Sequence, residues 1–318
     1  MAYFDVFNGD ADGLCSLQQL RLAEPLESEL VTGVKRDIAL LKKVSAGKDD
    51  TVTVLDISLD KNRADLERLL DRGSRIYYFD HHFAGRIPDH QNLTAFIDPT
   101  PDQGTSLLAD RYVGGRFRLW AIVGTFGDNF DYSARKAGEH LNLSEEEFNR
   151  LKELGILLNY NAYGATLDDL YFHPGELFSL MQPFENPLIF VEQADTFQIL
   201  REGYQNDMSR AEELSPLILT EKYGVYVLPL APWARRVSGV YANLLAARSA
   251  ERAHALLTSL EEGGYVVSVR SPLAERKGAD ELCRKFPTGG GRKAAAGINH
   301  LPDDLLEEFI EEFKAQFS

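Results

Sequence analysis

Apolar runs in this chain repeatedly end on acidic residues. The run Tyr3–Phe7 passes straight into Asn8-Gly9-Asp10-Ala11-Asp12-Gly13, Thr51–Leu55 ends on Asp56, and residues 76–79 end on Asp80, His81 and His82. Short runs rich in β-branched and aromatic residues predict buried strands, and buried parallel strands present their chemistry at their C-terminal ends. The three runs together predict a sheet edge lined with carboxylates and imidazoles. Any one of these acids alone could instead cap a following helix.

The segments between the runs read as helices. Leu14, Leu17, Leu20 and Leu22 give residues 12–23 an apolar side, and Pro25 ends that helix. A second strand is predicted at 29–34, a helix at 38–44, and another at 59–70 closed by Gly73. Such alternation predicts an α/β domain with a parallel sheet. Beyond the histidines, residues 95–97 read as a strand, and a helix starts at Gly104-Thr105-Ser106. An apolar segment at 119–125 then leads through Gly127 to a fourth acid, Asp128. Residues 144–212 read as helical, with Ser144 and Glu147 at capping-box spacing, breaks at Pro183 and Pro187, and one long helix over 188–207.

After about Pro216 the alternation restarts. Strands are predicted at 224–230 and 264–270, helices at 237–245 and 273–286, and an amphipathic C-terminal helix at 303–317. A glycine-rich loop, Gly289–Gly291 followed by Arg292, precedes Ala294-Ala295-Ala296-Gly297. The expected organisation is a parallel-sheet domain over 1–187, a helical linker over 188–215, and a smaller α/β domain over 216–318.

Composition narrows the function classes. Across 318 residues, 49 acidic against 34 basic side chains leave a net charge of −15, which disfavours long polyanions and leaves short nucleotides open. Cys15 and Cys283 are too few for a disulfide framework or a cysteine metal site, and are expected to be buried thiols. With no leader pattern at Met1 and no apolar run of about 18 residues, a cytoplasmic, membrane-free protein is expected. Carboxylates and histidines delivered to one edge suit a hard or borderline divalent cation.

The four acid-bearing segments, the Asp80-His81-His82 triplet and the late Gly-Gly-Gly to Ala-Ala-Gly stretch resemble, in this order and at these separations, the DHH phosphoesterase superfamily with its C-terminal DHHA1 domain. The resemblance covers nearly the whole chain. It implies a manganese-dependent hydrolase, with Mg²⁺ or another divalent metal as the alternative, acting on phosphodiester or phosphoanhydride bonds. Members include the RecJ exonucleases and the nano-RNases, and they often pair, which leaves a homodimer open while the sequence itself is silent on oligomeric state. Carried over position by position, Asp10, Asp56, His81 and Asp128 would hold metal. His82 would face substrate, and Asp80 would orient an imidazole towards the metal.

Two departures accompany the resemblance. Many members place a histidine and an aspartate where this chain has Phe4 and Asn8, so one of the two metal positions is depleted, with Asn8 and Asp12 as the remaining candidates. The glycine stretch ends in Arg292 where many members have histidine. Glycine backbone and a guanidinium can still hold a phosphate, so Gly289, Gly290, Gly291, Arg292 and Arg270 are expected to bind substrate. Tyr160, Tyr163 and Tyr171 are candidates for base stacking in an interdomain cleft, against packing between helices. The expected activity is hydrolysis of short oligonucleotides or dinucleotides. The alternatives are hydrolysis of pyrophosphate, polyphosphate or a nucleoside bisphosphate, and nucleotide binding without catalysis.

Overall fold

The repeated strand-to-acid pattern builds one parallel sheet. The structure, a computed structural model, describes residues 1–318, and its contacts divide them into two compact units, Met1–Glu202 and Gly203–Ser318. The first unit opens with β1 (Tyr3–Phe7), α1 (Ala11–Ala23), β2 (Glu29–Val31), β3 (Thr51–Leu55), α2 (Leu59–Asp71), β4 (Arg75–Asp80) and β5 (Leu93–Ile97). Its strands pair in the order β2-β1-β3-β4-β5, all parallel. Phe7 pairs with Leu55 and Leu55 with Phe79, so β1, β3 and β4 end level with one another. Asn8, Asp56 and Asp80 therefore leave the sheet along a single rim.

Side chains alternate across the sheet. Phe4, Val6, Val52, Val54, Ile76 and Tyr78 face a core closed by Leu59, Leu66 and Leu69 of α2. The segment expected as a helix over 38–44 is only a 3₁₀ turn at Leu40–Lys43. Asn62 explains this, because its amide donates to Ile38 O at 2.7 Å and accepts from Leu41 N at 3.3 Å, taking backbone groups that a longer helix would use itself.

Five helices follow: α3 (Thr105–Tyr112), α4 (Arg118–Gly127), α5 (Asp131–Gly138), α6 (Glu145–Ala162) and α7 (Pro174–Met181). The apolar segment before Asp128 is thus a helix, and α4 is buried from Trp120 to Gly127. The Ser144 and Glu147 capping box forms at the start of α6 as expected. Instead of one helix over 188–207, the chain makes α8 (Pro187–Gln193) and α9 (Asp195–Glu212), separated by Ala194 in extended conformation. Ala194 N still donates to Phe190 O, which closes α8 before the chain turns.

The second unit contains β6 (Ile218–Leu219), β7 (Tyr223–Leu228), α10 (Pro232–Arg248), β8 (Ala253–Ser259), β9 (Tyr265–Arg270), α11 (Ala279–Cys283), β10 (Gly289–Gly291), β11 (Ala295–Leu301) and α12 (Leu306–Phe317). Its strands run in the order β10-β11-β9-β8-β7-β6, and only β7 and β8 are parallel. The expected helix over 273–286 is reduced to α11, because Arg276 (φ 51°) and Gly278 (φ 94°) take left-handed backbone that interrupts it. The expected glycine-rich loop is an edge strand instead. Phe309 and Phe313 of α12, with Cys283 of α11, pack on Val225, Ala255, Val267, Val269 and Ile298. Both cysteines are buried and unpaired, as expected. No helix is long and apolar enough to cross a membrane.

Candidate metal centre

The turn after β1 brings the first two carboxylates. Asp10 caps α1, one of its oxygens accepting from Asp12 N and Gly13 N at 3.1 Å each. The turn is tight, since a Cβ on Gly13 would strike the Asn8 carbonyl. Asp12 is wholly buried, and its two oxygens accept from Thr105 N at 2.6 Å and Ser106 N at 2.9 Å, at the N-terminus of α3. That end of a helix favours a negative charge. Asp56 follows β3 in left-handed backbone (φ 59°) and accepts from the Thr105 hydroxyl at 3.0 Å. Aspartate tolerates this conformation better than most residues, and such backbone concentrates at functional sites.

Asp128 reaches the rim from the end of α4. A Cβ on Gly155 of α6 would press on Gly127 N at 2.9 Å, and a Cβ on Gly127 would collide with Ala11. Only glycines allow the start of α1, the end of α4 and the middle of α6 to approach so closely. Asn159 locks the junction, accepting from Ala11 N at 3.2 Å and donating to the Gly127 carbonyl.

The histidines take different places. His81 Nε2 lies 3.4 Å from Asp56 Oδ1 and 3.6 Å from Asp128 Oδ2. His82 Nδ1 lies 2.7 Å from Asp80 Oδ1, and its backbone N–H donates to the same oxygen at 3.2 Å. The imidazole that Asp80 orients is therefore that of His82. Asp80 was expected to orient an imidazole towards the metal, and the ring that it holds is His82, while His81 lies against Asp56 and Asp128.

Two triplets offer ligand atoms all within 4.8 Å of one another: Asp56, His81 and His82, and Asp12, His81 and Asp128. His81 is common to both. Of the expected ligands, His81 meets Asp56 in one triplet and Asp128 in the other. Asp10 stands outside both triplets, and its second oxygen meets Lys35 Nζ at 2.5 Å. Lys35 also reaches Asp128 Oδ1 at 3.3 Å and Asn159 Oδ1 at 3.5 Å. Asn8 points its amide at the Lys35 carbonyl, Nδ2 to O 3.4 Å, and its Oδ1 is buried without a hydrogen-bond partner. Phe4 belongs to the core behind the sheet.

The cluster carries more negative charge than its lysine balances. Burial pushes the Asp128 carboxyl up to about 6, against the pull of Lys35, and burial beside Asp10 and Asp12 raises Asp56 well above the ordinary range. Burial would lower His81, but its hydrogen bond with Asp56 and the charges of Asp56, Asp12 and Asp128 bring it up to about 10. Asp10 is also disfavoured by burial, yet Lys35 holds it below the usual value. Without a further cation, protons must make up the difference. Carboxylate oxygens with an imidazole nitrogen are a donor set that fits a divalent ion.

Lys35, Asn159 and Thr105 escaped the sequence reading. Lys35 lies in an unpatterned stretch, Gly33-Val34-Lys35-Arg36, and nothing local marks it. Asn159 does leave a trace, since it and Asn161 are amides within the otherwise largely apolar run Leu157-Leu158-Asn159-Tyr160-Asn161-Ala162 of a buried helix. Of the tyrosines, Tyr160 is fully buried and so cannot stack on a base, Tyr163 lies under Lys35 with 5.7 Å from Nζ to the ring centroid, and Tyr171 is 39% exposed.

In the second unit, Gly290 pairs with Gly297 and Gly297 with Ser268, so three small residues lie side by side across β10, β11 and β9. Arg270, two positions beyond Ser268, points to the same face, where its Nε donates to Asn243 of α10 at 2.8 Å. Gly291 has φ 140°, a conformation that favours glycine, and Arg292 beyond it is exposed. Sequence proximity and sheet register thus bring the five expected phosphate-binding residues to one end of this sheet.

No protein-family model matches the sequence, and none of the curated proteins is similar to it. Solved structures do match. A DHH-domain protein, described as belonging to a family of ribosomal proteins, aligns with 99% of this chain and 86% of its own, at TM-score 0.64 and 14% identity. The chain has the DHH-domain fold. Exonuclease RecJ bound to manganese aligns with 100% of this chain and 91% of its own, at TM-score 0.58 and 18% identity. The pGpG-specific phosphodiesterase PggH of Vibrio cholerae aligns with 99% of this chain and 98% of its own, at TM-score 0.57 and 16% identity.

Proposed function

We propose that the chain is a divalent-metal-dependent hydrolase of phosphodiester bonds in short oligonucleotides or dinucleotides. The observation that carries this reading is the pair of acid and imidazole triplets, Asp56 with His81 and His82 and Asp12 with His81 and Asp128, that share His81 at the C-terminal rim of the parallel sheet, with too little positive charge to balance them. The likeness in fold to a manganese-bound exonuclease and to a dinucleotide phosphodiesterase supports it. Asp56, His81 and Asp128 would hold the metal, Mn²⁺ or Mg²⁺, which when bound lowers the pKa of its water and polarises a phosphoryl oxygen.

The chain's own groups do the rest. Asp80 fixes the His82 ring through Nδ1 and leaves Nε2, on a half-exposed side chain, to meet a phosphoryl oxygen. A hydrogen bond from that position would stabilise the charge that develops in the transition state. Thr105 restrains the Asp56 oxygen to which it donates. In the second unit, Arg270 and Arg292 supply guanidinium groups that suit a phosphate, beside Gly291 of the edge strand β10. The net charge of −15 favours a short substrate.

The test is a panel of a dinucleotide, a nucleoside bisphosphate and polyphosphate, assayed with Mn²⁺. Asp56→Ala is expected to reduce dinucleotide turnover to background with an unchanged circular dichroism spectrum, and His82→Ala to slow it about 10²-fold. Undiminished turnover in Asp56→Ala would refute the reading. Cleavage of polyphosphate alone would move the substrate class to phosphoanhydrides.

A further inference from the structure

The acid cluster already contains one cation. Lys35 Nζ sits between Asp10 Oδ2 at 2.5 Å and Asp128 Oδ1 at 3.3 Å, with Asn159 Oδ1 at 3.5 Å. We propose that this ammonium is a built-in cation that occupies the space between Asp10 and Asp128, so that the chain takes a single divalent metal, on the side where His81 lies.

Several independent features hold Lys35 in place. Its backbone N–H donates to Ala162 O at 2.9 Å, at the end of α6. Its carbonyl accepts from Asn8 Nδ2 at 3.4 Å. A carboxylate at position 8 could not donate there, so the amide at Asn8 and the lysine at 35 belong to one arrangement. The Tyr163 ring lies 5.7 Å from Nζ on a further side, within reach of a cation–π attraction. Phe4, buried in the core, offers no ligand towards this space. The lysine thus uses one oxygen of Asp10 and one of Asp128, and the other Asp128 oxygen faces His81. An ammonium and a second divalent ion could not share that space without strong repulsion between them.

The inference rests on reading the cluster as a metal site, and metal stoichiometry separates the two claims. The protein is stripped with chelator, titrated with Mn²⁺ by calorimetry and examined by electron paramagnetic resonance, as wild type and as Lys35→Met, Lys35→Arg and the double variant Lys35→Met/Asn8→Asp. One Mn²⁺ per wild-type chain with an isolated-ion spectrum is expected, and Lys35→Arg should keep it at one. Lys35→Met should bind a second ion, more tightly in the double variant, with exchange coupling between the two. Two ions in the wild type would overturn the proposal and leave the metal site standing. No ion in any variant would overturn both. A single ion in both methionine variants, with folding verified by circular dichroism, would show that Lys35 excludes nothing.

Discussion

Asp12 illustrates what each buried carboxylate of the cluster contributes. It holds the first two N–H groups of α3, neither of which has a partner within the helix. Asp12→Ala should therefore strand two buried donors and cost about 3 kcal/mol in urea denaturation, a loss that Asp12→Asn recovers in part. The removal of a single hydroxyl is milder. Thr105→Val keeps the side chain's shape, loses the bond to Asp56, and should cost about 1 kcal/mol. The pH dependence follows from the same charges. In the metal-free protein Asp128 titrates near 6 and His81 near 10, so at pH 7 His81 and part of the Asp128 population hold protons that a metal must displace. Mn²⁺ affinity is expected to rise with pH from about 5 upwards, with net proton release in calorimetry across buffers of different ionisation enthalpy. Binding without proton release would contradict the charge state assigned to the cluster.

Asp10, Asp56, Asp80, His81 and His82 were legible in the sequence because the end of an apolar run is a local signal. Asp128 was legible for the same reason, although the run before it is a helix. Lys35 and Asn159 were not, because only the pairing of β1 with β2 and the crossing of α1, α4 and α6 bring them to the rim. The placement of Asp128 depends on Gly127 and Gly155, where the helices cross. Gly155→Ala would force α6 away from α4, and is expected to destabilise the protein by about 2 kcal/mol and to weaken Mn²⁺ binding through displacement of Asp128. Unchanged stability and affinity would show that this crossing does not position the acid. The failures among predicted elements have the same local character. Leu273 to Phe286 carries enough apolar residues for a helix, but Arg276 and Gly278 turn the backbone left-handed first. Apolar spacing registers the side chains and is silent on φ. The glycine stretch likewise read as a loop, and pairing with β11 made it a strand.

For the molecule as a whole, strand alternation and its restart after about Pro216 anticipated two α/β units, and the structure divides at Glu202 and Gly203 within α9. A helix that continues across a boundary gives no compositional sign of it. Net charge bears on substrate at this scale. With −15 overall, a long single strand should compete poorly with a dinucleotide even at low salt, where phosphate contacts are strongest. Tight binding of a long strand under those conditions would require a basic groove and would contradict a short-substrate enzyme.

The most direct measurement is product analysis of a 5′-phosphorylated dinucleotide incubated with the metal-loaded protein. Two mononucleotides should form at a rate that follows Mn²⁺ occupancy and disappears in Asp56→Ala. An intact dinucleotide, with Mn²⁺ demonstrably bound to the wild-type protein, would contradict the account.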